Sequence, residues 1–342
     1  GDHRDLHRLI RRQRQMCIRD SFSTVNTRPI GMGGAFFSVE DDLPAVNYNP
    51  ACFQLFRVEN AKGIILFLNL VPPVYLFNRP EEFKIENNSI SKKIVKSLSL
   101  FIKGISISYN MLNCGFLFSE ELTPYNDKEY YAGKSNFFNA RNFNRSHYYS
   151  FVLSFNLSRS LSIGITNNLF FIEKNDKKIF RSGTSYGLLL KPSDRYNIGL
   201  TYVDIPSDFI NSRRRLDRVA DETINAGFSY YINDNTLISI DLRNLSESEV
   251  RVFSLRELHL GVEKNILGHF SIRSGYFRVP ERDQEERTDV YSFGVSLFDL
   301  NFIRSKNRKF NHKRPFLSYA FVLEKRKLKN IYWHFLTVSL CI

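Results

Sequence analysis

The sequence predicts an all-β protein, a transmembrane antiparallel β-barrel of about 14 strands. Three observations predict this fold. Apolar and polar residues alternate with a period of two through most of the chain, as they do in strands with two unlike faces. Short and long connections alternate between these strands. Aromatic residues, which favour strands and membrane interfaces, make up 14% of the 342 residues.

The alternation marks out about fourteen strands from residue 60 onward. In the run 224–232, Ile224 and Phe228 belong to the apolar set, whereas Asn225 and Gly227 belong to the polar set. Several runs approach the length of about nine to eleven residues that crosses a bilayer at a tilt. The predicted strands are 60–70, 104–110, 113–122, 145–157, 160–174, 181–190, 195–204, 222–232, 236–244, 256–264, 269–278, 288–298, 314–323 and 331–342.

The connections between these strands are of two kinds. The short turns are 158–159, 191–194, 233–235 and 265–268, and the long charged loops are 123–144, 205–221, 245–255 and 279–287. One rim of tight turns and one rim of long loops is typical of a transmembrane β-barrel, with the short turns on the periplasmic side. The connection 299–313 departs from this pattern, because it is long and basic where a tight turn is expected.

The polar face of the strands separates a membrane barrel from a soluble β-sandwich, which also alternates and remains the alternative. A barrel in lipid turns its apolar face outward and keeps small or polar residues in the lumen. The polar face here carries glycines and charged side chains, namely Gly199, Gly227, Gly261, Gly275 and Gly294, with Asp241, Arg243, Glu257, Glu263 and Arg273. This favours the barrel. We expect the charged residues to pair inside the lumen, with a polar path along them as the alternative.

Composition argues against several other classes. The longest uncharged apolar stretch, 63–78, contains Pro72 and Pro73 and is too short to span a membrane as a helix. The net charge of +13 falls mainly between strands, where acidic lipid head groups explain it at least as well as nucleic acid does. The cysteines have neither metal-like nor disulfide spacing: Cys17, Cys52, Cys114 and Cys341. We therefore expect no metal and no cofactor.

Residues 1–21 share nothing with the rest of the chain. They hold six Arg, three Asp and two His, and they lack the apolar core of a signal peptide. The string RQMCIRDS looks like translated sequencing-adapter read-through. We therefore interpret 1–21 as a non-native leader, and we expect the true N-terminus, with any secretion signal, to be missing.

A glycine-rich motif follows the leader, in residues 28–53. Its GxGG-type run lacks the flanking strand and long helix of a dinucleotide site and the GK[ST] of a phosphate-binding loop. The segment resembles the "GMGGAF…A…DD…A…NPAG" signature that opens FadL-like and PorV/PorQ-like outer-membrane proteins. The matching residues are Gly31, Met32, Gly33, Gly34, Ala35, Phe36, Asp41, Asp42, Ala45, Asn49, Pro50 and Ala51. Cys52 stands where a glycine is usual.

The resemblance implies a fourteen-stranded barrel whose N-terminal segment folds inside the lumen as a hatch. We accordingly divide the chain into the leader 1–21, the hatch 22–59 and the barrel 60–342. The inward glycines would make room for the hatch. The hatch residues that the resemblance singles out are Gly31, Gly33, Gly34, Asp41, Asp42, Asn49 and Pro50.

The resemblance also implies a function at the bacterial outer membrane. FadL-like members pass long-chain or aromatic hydrophobic molecules, so we expect passive transport of hydrophobic, fatty-acid-like small molecules. The alternative is a PorV/PorQ-like component of type IX secretion that binds cargo protein at the cell surface. The expected partners are outer-membrane lipid, the barrel-assembly machinery and a hydrophobic ligand, and nucleic acid is not expected.

An apolar helix face lies in the long connection 71–103. Ile90, Ile94, Leu98, Phe101 and Ile102 fall on one face of a predicted amphipathic helix, and lysines lie largely opposite. We predict a capture site for the hydrophobic ligand at Ile94, Leu98, Phe101 and Ile102. A helix that packs on the barrel rim or in the head-group layer is the alternative.

The sequence gives little sign of catalysis. None of the five histidines beyond the leader has a recognisable nucleophile or acid partner in a motif. We therefore do not expect an enzyme.

Overall fold

The computed structural model describes residues 18–21, 25–54, 62–78, 80, 90–121, 146–174, 177–204, 223–246, 257–266, 270–279, 288–297, 314–325 and 330–341. Within these ranges the chain forms a nearly closed antiparallel barrel of fourteen strands, β2–β15, preceded by a short strand β1 at Ile18–Ser21. The barrel strands are β2 Lys62–Asn69, β3 Ile102–Tyr109, β4 Leu112–Glu121, β5 Ser146–Ser158, β6 Leu161–Lys174, β7 Lys177–Ser193, β8 Tyr196–Asp204, β9 Thr223–Asn233, β10 Thr236–Arg243, β11 Glu257–Ile266, β12 Phe270–Val279, β13 Thr288–Leu297, β14 Arg314–Lys325 and β15 Asn330–Cys341.

All fourteen predicted strands are confirmed. Each pairs with its neighbour in sequence order, because the connections at one rim are tight turns, such as Asp234–Asn235 between β9 and β10. The main difference is β7, which extends to Lys177 because the hairpin with β6 continues beyond the predicted strand. The long loops, the connection 299–313 and most of the leader lie outside the described residues.

The two faces of the strands are those that the alternation predicts. In β9, Ile224 and Phe228 point outward and are exposed, whereas Asn225 and Gly227 point into the barrel and are buried. A one-residue slip in register would exchange the two faces, so the alternation also holds the register. The inward face is mostly Ser, Thr, Asn and Gly, which leaves space in the lumen.

The barrel closes through a short ladder between β15 and β2, which we call the seam. Ser339, Leu340 and Cys341 pair with Asn69, Leu68 and Phe67, whereas β14 and β15 pair over twelve residues. Leu70 N adds one bond to Val338 O at 3.2 Å. Residues 332–335 of β15 pair instead with β1 in parallel orientation. The leader residues 18–21 therefore lie along the wall at the seam.

Three helices complete the described structure. The helix α1 covers Thr27–Gly31, α2 covers Val71–Asn78 and α3 covers Ile90–Phe101. The first of these lies in the hatch, and the other two follow β2 and precede β3 at the rim of the long loops. None of the helices in the described part of the chain has the length and apolar content to cross a membrane.

The N-terminal segment lies inside the barrel, as predicted. Nearly all of residues 25–53, which we call the hatch from here on, are buried. The hatch has little regular structure beyond α1 and two short 3₁₀ turns, at Leu43–Asn47 and Pro50–Cys52. A parallel bridge between Asp41 and Phe53 closes its second half into a loop.

Candidate functional site

The hatch sits on a row of inward-facing glycines in the wall. The close contacts join Gly104 to Leu43, Gly115 to Phe53, Gly164 to Pro50, Gly187 to Asn49, Gly199 to Phe37, Gly261 to Met32, Gly275 to Gly33 and Gly294 to Gly31. Several of these glycines are cross-strand partners, such as Gly164 with Gly187 and Gly261 with Gly275. A β-carbon at most of these positions would overlap the hatch, so the glycines set how closely it approaches the wall.

Two hatch glycines need their conformational freedom. Gly33 and Gly34 have φ of +65° and +74°, a region that residues with a side chain seldom adopt. Their turn places Gly33 against the backbone of Gly275 and Tyr276, where a β-carbon would lie only 2.9 Å from Tyr276 N. The same turn presents the carbonyl oxygens of Gly33 and Gly34 to the wall.

A buried ionic group centred on Arg28 joins the hatch to β11 and β12. Arg28 Nη1 lies 2.8 Å from Asp41 Oδ2, and Arg28 Nη2 lies 2.7 Å from Glu263 Oε2. Arg273 Nε donates to the second oxygen of Glu263. All four side chains are buried, and the two positive charges balance the two negative ones. A balanced, hydrogen-bonded group of this kind is the form in which buried charge is tolerated.

A second polar group holds the glycine turn of the hatch. Asp241 accepts hydrogen bonds from the backbone N–H groups of Phe36 and Phe37. Arg243 Nη2 donates to Gly34 O at 2.7 Å. His259 Nδ1 donates to Gly33 O at 2.6 Å, because a carbonyl oxygen can only accept, and its Nε2 lies 3.3 Å from Glu257 Oε2.

The second half of the hatch is held through Asn49 and Asp42. Asn49 Oδ1 accepts from Ala51 N, while Asn49 Nδ2 donates to Phe37 O at 2.7 Å and to Leu188 O at 3.1 Å. Asp42 Oδ1 accepts from Ser106 Oγ on β3 at 2.7 Å. Burial raises the pKa of the Asp42 carboxyl to about 7, against the lowering effect of the Ser106 hydrogen bond.

The start of the hatch is tied to an irregular stretch of β4. The ladder between β4 and β5 shifts register between Leu117 and Glu120, and Ser119 has a φ of +46°. Glu120 accepts from the backbone N–H of Val25 at 3.1 Å and pairs with Lys103 at 2.7 Å. Lys103 also donates to Ser119 O, so one cation holds both the bulge and the carboxylate that binds the hatch.

Three apolar clusters lie inside the barrel, and one of them comes almost entirely from the wall. The other two draw at least half of their side chains from the hatch. In the third, Ile30 of α1 meets a group of wall residues on β12–β15 that we call the seam patch: Phe277, Val290, Ala320, Val322, Trp333 and Phe335. The rings of Trp333 and Phe335 on β15 are stacked. Two residues of the seam patch therefore lie on β15, the strand that closes the barrel through the shortest ladder of the wall.

The exposed face of α3 is the predicted one. Ile90, Ile94 and Leu98 are 69%, 47% and 55% exposed, whereas Ser97 and Leu100 are buried. Phe101 ends the helix and is half-buried. Ile102 is the first residue of β3 and not part of the helix, because the chain already pairs with Leu68 of β2 there.

The structure brings the predicted hatch and lumen residues together at one interface. Of the five lumen charges, Asp241, Arg243 and Glu263 bind hatch atoms, Arg273 lies beside Gly31, and Glu257 contacts His259, which binds the hatch. The predicted hatch residues contact the wall or close the hatch loop: Gly31, Gly33, Gly34, Asp41, Asp42, Asn49 and Pro50. The residues Ile94, Leu98, Phe101 and Ile102 lie apart from them, on α3 and the start of β3 at the rim. Sequence reasoning missed Arg28, Lys103, Glu120 and Lys191. The sequence signal for the wall residues among them is a charged side chain at a strand position that the alternation turns inward. Lys191 is an example, and it pairs with Glu40 of the hatch at 2.9 Å.

Comparisons with known proteins find matches among solved structures of low sequence identity. No protein-family model and no curated protein matches the sequence. Among solved structures, a monoaromatic hydrocarbon channel, CymD, is 11% identical and matches 94% of this chain and 97% of its own with a TM-score of 0.48. The toluene transporter TbuX of Ralstonia pickettii is 14% identical, with coverages of 94% and 98% and a TM-score of 0.47. A FadL homologue of Pseudomonas aeruginosa is 11% identical, with coverages of 94% and 96% and a TM-score of 0.44.

The chain is a barrel that encloses its own N-terminal segment. Fourteen antiparallel strands close around a buried N-terminal segment, and the motif glycines of that segment meet inward glycines of the wall. This is the architecture that the resemblance to FadL-like outer-membrane barrels predicts.

Proposed function

We propose that this protein is a bacterial outer-membrane channel for the passive transport of hydrophobic small molecules, with fatty-acid-like or aromatic compounds as the expected class. The seam patch carries this proposal. The lumen of a transmembrane barrel is ordinarily polar. A lumen-facing apolar surface that extends to β15, the strand with the shortest ladder of the wall, suits a molecule that leaves water and enters lipid sideways.

The proposed path begins at the rim. The exposed face of α3, around Ile94 and Leu98, would take up the ligand from outside, because apolar surface binds apolar ligands without specific polar partners. The ligand would then pass along the hatch to the seam patch, where Ile30 is the hatch residue in contact with the wall. Exit would follow through the seam, where a few backbone hydrogen bonds separate the lumen from lipid.

The hatch has the properties of a part that moves while the barrel stays intact. It is held by side-chain contacts and close packing and shares no ladder with barrel strands β2–β15, whereas the wall strands are joined by continuous backbone ladders. Displacing the hatch therefore breaks no hydrogen bond between wall strands. A passive channel needs such a separation between the gate and the scaffold.

The first experiment measures uptake of a radiolabelled aromatic hydrocarbon by cells that carry the chain in the outer membrane. Val322→Asn places a polar side chain in the seam patch, and we expect it to lower uptake several-fold because a desolvated amide costs free energy in an apolar site. Ser318→Asn, at a buried inward position that is already polar on the same strand, is the matched control. Equal uptake by the parent chain and Val322→Asn would contradict the path along the seam patch.

A second experiment tests capture at α3. Leu98→Glu introduces a charge on the exposed apolar face and should reduce uptake while leaving heat-modifiable mobility of the barrel unchanged. Lys92→Glu changes charge on the same helix at an exposed lysine and serves as the control. Unchanged uptake in a correctly inserted Leu98→Glu variant would remove the capture site. Absence of uptake together with co-purification of a large secreted protein would replace transport with the secretion role.

A further inference from the structure

A polar pair that includes an ionisable side chain lies on the apolar outer surface of the wall, on β14 and β15. Tyr319 Oη and His334 Nδ1 lie 2.5 Å apart, and the centroids of the two rings are 6.0 Å apart. Both side chains face outward, since the residues that follow them, Ala320 and Phe335, are buried on the lumen side. The pair is only partly covered, so a molecule in the surrounding lipid can reach it.

The depth of this pair is unusual for an ionisable group. His334 is the fifth of twelve residues in β15, and its outward-facing neighbours are apolar, among them Leu336 and Val338. Within the described strands, every other outward-facing Asp, Glu, Lys, Arg or His lies within three residues of a strand end. Ionisable residues at lipid-facing depth are costly and rare, and the default inference is that they serve a function.

The position of the pair connects it with the seam. His334 belongs to the stretch of β15 that has no partner in β2, where β1 lies alongside instead. The same stretch presents Trp333 and Phe335 to the lumen as part of the seam patch. Over three consecutive residues, then, β15 has apolar rings on its inner side and an imidazole on its outer side. A molecule that crosses the wall from the seam patch at this stretch of β15 would meet His334, with Tyr319 bonded to it, on the outer side.

We infer that Tyr319 and His334 form a docking site, here the wall dock, for the single oxygen group of an otherwise apolar molecule such as a phenol or an alcohol. This inference rests on the proposed function and specifies its substrate class. A phenol and a neutral imidazole can each donate and accept a hydrogen bond, so the pair can meet a hydroxyl group in either role. A plain hydrocarbon makes no such bond. The wall dock therefore favours an oxygen-bearing ligand over its hydrocarbon counterpart.

The test compares uptake of 4-ethylphenol and ethylbenzene, which differ by one hydroxyl group, by cells that carry the full chain in the outer membrane. Tyr319→Phe keeps the ring and removes the hydroxyl group. We expect it to lower the ratio of phenol to hydrocarbon uptake by about 3- to 10-fold, the net effect of one hydrogen bond. Thr184→Val is the matched control, because Thr184 accepts from Asn167 in another outward-facing polar pair, on β6 and β7.

The outcomes separate this inference from the proposed function. If the parent chain takes up neither compound, the proposed function fails. If the parent chain takes up both and Tyr319→Phe leaves their ratio unchanged, the wall dock is overturned. A change of the same size in Thr184→Val also overturns it, since the effect would then belong to any polar pair on the wall. His334→Phe gives a second reading of the ratio if Tyr319→Phe does not assemble.

Discussion

Removal of Arg28 should release the hatch while the barrel remains closed. Arg28 makes four hydrogen bonds with two buried carboxylates, one at 2.8 Å to Asp41 and three at 2.7, 3.1 and 3.3 Å to Glu263. Arg28→Met keeps most of the stem of the side chain and removes the charge. Arg28→Met changes no backbone hydrogen bond between wall strands, so we expect it to weaken only the docking of the hatch.

The expected loss of docking free energy depends on the partners that Asp41 and Glu263 retain in Arg28→Met. Removing one partner of a buried ion pair typically costs about 3–5 kcal/mol, because the remaining charge is left uncompensated. Glu263 retains Arg273, and Asp41 retains the backbone N–H of Asp42, so we take about 3 kcal/mol. At about 1.4 kcal/mol for each factor of ten, the docking equilibrium should shift by roughly 100-fold toward the open state.

The assay uses Cys52, a fully buried thiol in the hatch. The other three cysteines are replaced, and the rate of maleimide labelling of Cys52 in outer-membrane vesicles reports how often the hatch leaves the wall. We expect Arg28→Met to label roughly 100-fold faster than its parent, and its unboiled gel mobility to stay that of a folded barrel. Asp41→Asn in the Arg28→Met background should recover part of the change, because Asp41 loses its ion pair with Arg28 whereas Glu263 keeps Arg273.

Two results would refute this reasoning. Equal labelling rates in Arg28→Met and its parent would mean that the Arg28 group does not hold the hatch. Loss of the heat-modifiable band in Arg28→Met would mean that the hatch and barrel are one cooperative unit rather than a gate within a scaffold.

Three further predictions use the same labelling assay. A β-carbon at Gly199 would overlap the carbonyl oxygen of Phe37, so Gly199→Ala should speed labelling by about 10-fold. Gly294→Ala should have a smaller effect, because its β-carbon would lie 3.1 Å from Gly31 Cα. Equal effects of the two substitutions would show that the fit at the glycines does not position the hatch. Burial raises the folded-state pKa of Asp42 to about 7. Between the ordinary carboxyl pKa and this value, the docked state therefore binds more protons than the undocked state. Docking of the hatch should weaken as the pH rises through this window and should level off above it. Asp42→Asn should flatten this dependence, and an unchanged pH profile in that variant would assign it to another group. Lys103→Met should speed labelling and Lys103→Arg should restore the parent rate, since Lys103 holds the Glu120 carboxylate that binds Val25; a parent-like rate in Lys103→Met would exclude that role.

The strands could be predicted from the sequence because their signal is local. In residues 224–232 of β9 and 291–297 of β13 every second residue is apolar, and a shift of one residue would put a whole apolar face into the lumen. The place of the hatch was predictable from the glycine motif and its resemblance to a known family. The inward glycines of the wall gave independent support, because small residues in a lumen leave room for something else.

The pairings inside the barrel could not be predicted in the same way. Arg28 and Glu263 are 235 residues apart, and their contact depends on how far the hatch turns at Gly33 and Gly34. The seam depends on a ladder of only three residue pairs between β15 and β2, and no local pattern in the sequence shows how far two strands from opposite ends of the chain pair with each other. The bulge at Ser119 likewise follows from tertiary contacts with Lys103 and leaves no mark in the alternation.

The row of glycines has a consequence for the order of assembly. Hatch residues touch wall glycines on strands from β3 to β13, so wall strands surround the hatch through most of the sheet. A segment enclosed in this way must either be present when the sheet rolls up or be threaded into a finished cylinder through its mouth. The hatch precedes every wall strand in the chain, and the last strand, β15, closes onto the first, β2, through the shortest ladder. The hatch is thus available before the strands that surround it. The pairing of β15 with β2, which closes the barrel around the hatch, needs fewer new backbone hydrogen bonds than any other pairing in the wall.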